Sequence, residues 1–401
     1  MNLRRGFCWP VWVALVCSLL VACTSTGSDS RPTPTPSPTA TAIPRDYWPT
    51  AGWRTAAPED QGVDPNALAE IEGQVAAAYG QVRSVLIVRH GYLVYENYRH
   101  GLDHADGHDV RSVTKSVVGA LVGIAIAEGK VKGPEQTVGE LLADQLPKDA
   151  DPRMAGVSVN QLLTMTSGLA GDSDLSGGDP RIEDAMVKSP DWVQHVLGRR
   201  LETAPGTRFA YSNASSHLLS AIVANVSGGS TFAYARAKLF EPLGIRTEGA
   251  FEPVLDDPVD KATIEAYERA NIAWPVDPQG YHYGAALLRL PTRDLAKFGY
   301  LYLNGGQWDG KQVIPADYVA AATSPAGRSP NLSMGYGWHW WVAVEDGHRT
   351  FTALGYGGQF IYVVPRPGPG HRHHQRPRHT WRRPQDLDHP NHSPGNHQLT
   401  E

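Results

Sequence analysis

Hydrophobic and polar positions along the chain fall into patterns that mark out a fold and two flanking segments. Gln81–Val88, with Val82, Val85, Leu86, Ile87 and Val88, reads as a strand; His90-Gly91 turns the chain, and Tyr92–Tyr98 reads as its hairpin partner. Ser112–Glu128 reads as a helix closed by Gly129. Its interior, with Val117, Val118, Leu121, Val122, Ile124 and Ile126, is apolar nearly all round, which predicts burial rather than an amphipathic surface position. From about 134 to 250 the signals are mostly helical and broken by Gly and Pro. Val159–Thr166 and Trp192–Leu197 read as short helices, Ser215–Val226 as a longer one, and Gly171–Pro180 as a flexible polar loop. Leu290–Leu303 is a further helix, with Asp294 near its start. The last patterned stretch is a hairpin: Thr350–Leu354, a glycine turn at Gly355–Gly358, then Gln359–Val364. Strands at both ends with helices between predict one sheet assembled from both chain ends, with a helical lobe inserted.

The flanks follow other rules. Arg4 and Arg5 precede an apolar run, Val11 to Ala22, of about 12 residues; a membrane span needs about 20. The run ends in Leu20-Val21-Ala22-Cys23, so residues 1–23 are expected to be a lipoprotein signal peptide with Cys23 as the lipid-bearing residue. Residues 24–45 are rich in Ser, Thr and Pro, with Pro32, Pro34, Pro36 and Pro38 spaced by single residues. Such a segment favours extended polyproline conformations and reads as a stalk. Expected localisation is therefore export, with a lipid anchor on the periplasmic or extracellular side of a membrane.

The other flank begins abruptly. Residues 366–401 hold seven of the sixteen histidines, six arginines and six prolines, and no Val, Ile, Phe, Tyr or Ala, directly after the strand pattern Phe360–Val364. A metal-binding tail on His371, His373 and His374 is one reading, and a disordered tail another. A third rests on codon arithmetic. Shifting the codons of Arg366 to Arg376 by one nucleotide permits Asp-Leu-Asp-Leu-Val-Ile-Val-Thr-Thr-Asn, a turn followed by a Val/Ile strand. Residues 366–401 are accordingly expected to be a disordered, frameshifted replacement of the original C-terminus.

Composition narrows the function. The 401 residues are long enough for a two-lobed enzyme, which residues 46–365 would form. A net charge of −5 disfavours a nucleic-acid partner. Cys8, Cys17 and Cys23 are the only cysteines, so the folded region has neither a disulfide nor a cysteine metal site. The histidines at 90, 100, 104 and 108 lack ligand spacing on one element, and no metal or organic cofactor is expected. His282 and His339 fit the pocket or the packing equally; Trp338, Trp340 and Trp341 fit core or pocket wall.

Three motifs carry chemistry. In Ser112-Val113-Thr114-Lys115 a hydroxyl and an amine share a helix face. Serine is a weak nucleophile until a base takes its proton. Lysine becomes that base if burial and the positive helix end lower its pKa. Ser112 is the only serine with Lys three residues later. In Tyr211-Ser212-Asn213 the phenol can relay a proton if a nearby ammonium lowers its pKa, and the amide can orient a substrate carbonyl. In Tyr356-Gly357-Gly358-Gln359 the glycines permit close backbone approach, and the Gln359 N–H is a candidate oxyanion donor.

This order of motifs resembles the serine β-lactamase and penicillin-binding superfamily. It is closest to the class C-related branch of β-lactamase-related hydrolases, family VIII carboxylesterases and 6-aminohexanoate-dimer hydrolases. Leu162–Leu169, Asp294–Gly299 and Met334–Trp338 are similar to further stretches of that branch. The resemblance implies an α/β (α+β) fold: an antiparallel sheet from both chain ends, flanked by helices, with an inserted all-helical lobe. It implies Ser112 as the acylated nucleophile and Lys115 as general base. Tyr211 would be the proton relay and the base for the deacylating water, and Asn213 the third polar residue of its motif. The N–H groups of Ser112 and Gln359 would form the oxyanion hole, with Gly357 and Gly358 keeping the strand open to substrate.

Two departures stand out. Tyr356-Gly357-Gly358 replaces the usual Lys-Thr-Gly, so a cation for a β-lactam carboxylate is lost. The final strand and C-terminal helix of relatives are also missing, which predicts an unfilled sheet position and an uncovered apolar face. The sequence thus points to an exported serine hydrolase of small or peptide-like esters or amides. Alternatives are a D-amino-acid peptidase or weak β-lactamase of the same fold, or a non-catalytic lipoprotein that retains it.

Overall fold

The structure, a computed structural model, describes residues 47–365 except 79, 174, 176 and 346. The signal segment, Cys23, the Ser/Thr/Pro stalk and residues 366–401 lie outside the described residues.

The chain enters through helix α1 (Pro65–Ala78) and a hairpin of β1 (Ser84–Arg89) and β2 (Tyr92–Tyr98). Strand β3 (Gly107–Asp109) leads into α2 (Val113–Ala127), and a helical region follows. It comprises α3 (Val138–Leu141), α4 (Val159–Leu163), α5 (Arg181–Val187), α6 (Trp192–Leu197), α7 (Asn213–Ser227), α8 (Thr231–Ala235) and α9 (Lys261–Arg269). The chain returns at β4 (Arg289–Pro291), which pairs antiparallel with β3 and so closes the base of the inserted lobe. Helix α10 (Thr292–Leu303), a small hairpin of β5 (Gln307–Trp308) and β6 (Lys311–Gln312), and α11 (Ala316–Ala322) come next. Then β7 (Gly327–Arg328), β8 (Gly335–Tyr336), β9 (Trp341–Glu345), β10 (His348–Gly355) and β11 (Gln359–Val363) form an antiparallel sheet in the order β11-β10-β9-β8-β7. The mixed fold with its helical insertion matches the expectation.

Helix α2 is the axis of the molecule. Every residue from Val113 to Ala125 is buried, including Thr114, Lys115 and Ser116, as its unbroken apolar circumference requires. It packs on α7, β10 and β11. Ser112 and Glu128 cap it, at the two ends expected. Helix α7 begins two residues earlier than expected because two side chains cap it. Ser212 Oγ accepts from the Ser215 N–H, and Asp172 Oδ1 accepts from the Asn213 N–H at 2.8 Å. The segment expected as a flexible loop, Gly171–Pro180, is therefore tied to the core through a buried carboxylate.

The single sheet expected from both chain ends is instead two sheets on one helix. Helix α10 packs against both β1 and β11. Toward β1, Thr292 Oγ1 lies 2.8 Å from Ser84 Oγ; toward β11, Gly299 faces Ile361. The second edge of β2 is covered by the Arg54–Ala56 backbone, which bonds to Leu93. Among the described residues no ladder joins β1 to β11. Along β11, Ile361 and Val363 are buried, whereas Phe360, Tyr362 and Val364 are 46%, 40% and 46% exposed. One face of the strand is packed, and among the described residues the other is an open apolar surface.

If that edge is a vacancy, replacing residues 366–401 by the ten residues of the shifted frame should fill it. The expected outcome is a higher thermal midpoint, by about 2–4 °C for each kcal/mol gained in a domain of this size. An unchanged midpoint would show that the two edges do not need a strand between them.

Candidate active site

The approach to Ser112 is a strained turn. Arg111 sits in the left-handed region at φ +50°, which costs a side-chain-bearing residue about 1–3 kcal/mol. Asp109 holds it there: one carboxylate oxygen accepts from the Arg111 N–H at 2.8 Å, and the other lies 3.1 Å from its Nε. The next three N–H groups, of Val113, Thr114 and Lys115, are spent on the carbonyls of Val110, Arg111 and Ser112. Ser112 is thus presented at the N-terminus of the buried helix.

Lys115 lies one turn on, 1% exposed. Its Nζ reaches Ser112 Oγ at 3.0 Å, Asn213 Oδ1 at 2.5 Å and the Ala285 carbonyl at 2.9 Å. The carbonyl is available because Gly284 lets the chain press against α7; a Cβ there would lie 2.3 Å from the Ser216 carbonyl oxygen. Burial pushes the lysine pKa down to about 8, against the opposing pull of Glu183 and then Asp172.

Tyr211 is clamped between rings: it stacks on Trp341 at 5.8 Å and meets Tyr336 edge-on at 6.0 Å, with Met165 and Leu354 beside them. Its phenol hydrogen-bonds the Ser112 side chain. The expectation that a nearby ammonium lowers its pKa is not met. Lys115 Nζ stands over the ring, 4.8 Å from its centroid, and burial raises the phenol well above its ordinary range. Tyr211 therefore keeps its proton near neutral pH.

Asn213 joins the two elements. Its Oδ1 faces Lys115, and its Nδ2 donates to Glu183 Oε2 at 2.8 Å. Tyr283 donates its hydroxyl to the other Glu183 oxygen. Asp172 is raised by burial and by Glu183, although the N–H groups of Asn213 and Ala214 oppose the shift. Sequence reading missed Asp172, Glu183, Tyr283, Gly284 and Ala285. They come from three separate segments, and none sits in a motif with local spacing.

The third motif is placed differently from expectation. Gly357 and Gly358, at φ +77° and +85°, serve the turn between β10 and β11, and a Cβ on Gly357 would meet nothing within 4 Å. The close approach is made by Gly355. A Cβ there would lie 2.4 Å from the Val110 carbonyl oxygen and 3.0 Å from the Arg111 Cβ, so the end of β10 is pressed against the turn that carries Ser112. Gln359 pairs across from Gly355 on the neighbouring strand. The first N–H beyond the ladder is that of Tyr356, whose side chain is 48% exposed. Next in the chain after Gly355, the Tyr356 N–H becomes a second candidate donor alongside that of Gln359.

His339 and His282 are packing residues. His339 Nδ1 bonds the Lys115 carbonyl at 2.7 Å, and burial holds its pKa near 3, so it stays neutral. His282 is buried against Trp274 and Phe232.

The Beta-lactamase family model matches residues 69–368, which covers the whole site. The chain belongs to the beta-lactamase family. Among curated relatives, it is 26% identical over 301 residues to a 6-aminohexanoate-dimer hydrolase of Paenarthrobacter ureafaciens, covering 70% of this chain and 69% of that one. It is 23% identical to the putative penicillin-binding protein PbpX of Bacillus subtilis, with the same two coverages. Among solved structures, EstCE1, a hydrolase with promiscuous acyltransferase activity, shares the fold with a TM-score of 0.55 at 18% identity, over 75% of this chain and 93% of that one. Serine hydrolases make up this family, in agreement with the resemblance read from the motifs.

Two outcomes follow from the geometry. Reaction of Ser112 with a fluorophosphonate should accelerate as pH rises through about 8, because Lys115 must lose its proton to act as base. A flat profile from pH 6 to 9 would remove it from that role. Gly355→Ala should slow the same reaction about a hundredfold, since the added Cβ forces β10 away from Arg111.

Proposed function

We propose that this chain is an exported serine hydrolase that cleaves an ester or amide bond through an acyl-enzyme on Ser112. The observation that carries this reading is Lys115 Nζ at 3.0 Å from Ser112 Oγ, buried and with its pKa lowered toward neutrality. Neutral Lys115 takes the hydroxyl proton as Oγ attacks the substrate carbonyl. The N–H groups of Ser112 and Tyr356 receive the developing oxyanion. Tyr211, protonated and bonded to Ser112, passes a proton to the leaving alcohol or amine and takes its replacement from Lys115. Water then attacks the acyl carbonyl and gives a proton to neutral Lys115; as the bond from the carbonyl to Ser112 Oγ breaks, that proton passes to Oγ, directly or through Tyr211, which restores the serine hydroxyl and the neutral base.

Charge favours esters and amides over β-lactams. The groups around Lys115 are the carboxylates of Glu183 and Asp172, and the motif residue Tyr356 brings no cation. A β-lactam carboxylate would find no cation from the third motif. The similarity to a 6-aminohexanoate-dimer hydrolase supports a substrate that is not a β-lactam. Export and lipidation at Cys23 rest on the signal pattern and would hold the enzyme at a membrane on the stalk of residues 24–45.

Active-site labelling tests the reading. The chain lacking residues 1–23 should take one fluorophosphonate adduct by intact mass, and Ser112→Ala should take none. Hydrolysis of a chromogenic ester should exceed that of a chromogenic β-lactam. The reverse order would favour the β-lactamase or D-amino-acid peptidase reading; a cooperatively folded protein with no adduct would make it a non-catalytic binding module.

A further inference from the structure

A neutral lysine amine has two N–H bonds and one lone pair, and the three partners of Lys115 differ in kind. The Ala285 carbonyl only accepts. The Ser112 hydroxyl donates or accepts. Asn213 is the ambiguous one, because its side chain presents an acceptor on one side and a donor on the other. If its amide turned over, an NH2 group would face the lysine, and the lone pair would be drawn to it and away from the serine.

Glu183 removes the ambiguity. Both of its oxygens accept, one from Asn213 Nδ2 at 2.8 Å and the other from the Tyr283 hydroxyl. A carboxylate cannot donate, so the Asn213 NH2 must face it and Oδ1 must face Lys115. With Asn213 Oδ1 and the Ala285 carbonyl each taking one N–H, the lone pair of neutral Lys115 has only Ser112 Oγ left to face. We propose that Glu183 is a positioning residue for the base: through Asn213 it orients the lone pair of Lys115 onto Ser112. The inference rests on the acyl-enzyme reading above and deepens it.

Glu183 acts on the lysine in a second way, by charge. The titratable groups around Lys115 are Asp172 on the loop before α5, Glu183 on α5, Tyr211 ahead of α7, Tyr283 before Ala285, and His339 ahead of β9. Tyr211 and Tyr283 are held as phenols by burial, and His339 is held neutral. The carboxylates thus retain the lysine proton, and Glu183 is the larger of the two influences. Removing its charge lowers the Lys115 pKa further.

Orientation and charge have separable signatures. In Glu183→Gln the limiting rate of fluorophosphonate labelling at high pH should fall about tenfold, the worth of a charge-assisted hydrogen bond, while the acid limb of the profile moves to lower pH. Glu183→Asp keeps the charge but withdraws it from Asn213; its limiting rate should fall while the limb stays near that of the parent. This second variant also serves if Glu183→Gln does not fold, and shared thermal midpoints check both. The 13C shift of the Lys115 ε-carbon, followed against pH, should report the same downward move in Glu183→Gln without any turnover. In Glu183→Gln, a loss of rate with limb and carbon titration unmoved would mean that Glu183 is merely structural. Parent-like rates in both variants would overturn the orientation argument. A parent protein that takes no adduct would overturn the acyl-enzyme reading, and this inference with it.

Discussion

The structure depends on one awkward burial: a lysine side chain inside an apolar helix bundle. Taking an ammonium out of water is costly unless acceptors replace the lost hydration. Lys115 finds three, and each constrains a different part of the chain. Ser112 fixes the start of α2, Asn213 fixes the start of α7, and the Ala285 carbonyl fixes the segment that closes the lobe. The same desolvation that demands these partners also lowers the pKa of the amine. Structure and reactivity have a common cause here.

Around that centre, small residues let backbones meet. Gly284 brings a carbonyl to the lysine across α7, and Gly355 brings the end of β10 to the strained turn at Arg111. Asp109 holds that turn from one side. Ser112 therefore stands where a helix N-terminus, a strand end and a buried lysine converge, and the strain at Arg111 is stabilised by a salt-bridged neighbour.

Two carboxylates complete the picture. Asp172 caps α7 and so places Tyr211 and Asn213, whereas Glu183 sets the face that Asn213 turns to the lysine. The sheet at the other end of the molecule is less complete. Among the described residues, helix α10 supports β1 and β11 with no ladder between them, and nothing covers the aromatic outer face of β11. The turn at Ser112 leans on β10, the inner neighbour of that edge strand, and α2 also packs on β11, so loosening of β11 reaches the candidate site by both routes.

The sequence by itself determined the buried helix, its caps, the terminal hairpin and the Ser112–Lys115 pair, because each is written in local spacing: helical periodicity, strand alternation, or three residues along one face. It also marked Tyr211 and Asn213, although only as a weak pattern that the full order of motifs made meaningful. Tertiary structure alone decided the rest. Asp172, Glu183, Tyr283 and Ala285 gather around Lys115 and Asn213 from distant segments, so no spacing announces them. The high pKa of Tyr211 follows from burial among Trp341 and Tyr336, where the sequence suggested only a nearby ammonium. The packing of Gly355 on the Val110–Arg111 turn, too close for a Cβ, makes Tyr356 a candidate donor alongside Gln359, and no turn motif encodes it. The split sheet likewise reflects packing on α10, since alternation shows that a strand exists but not which edge it will join.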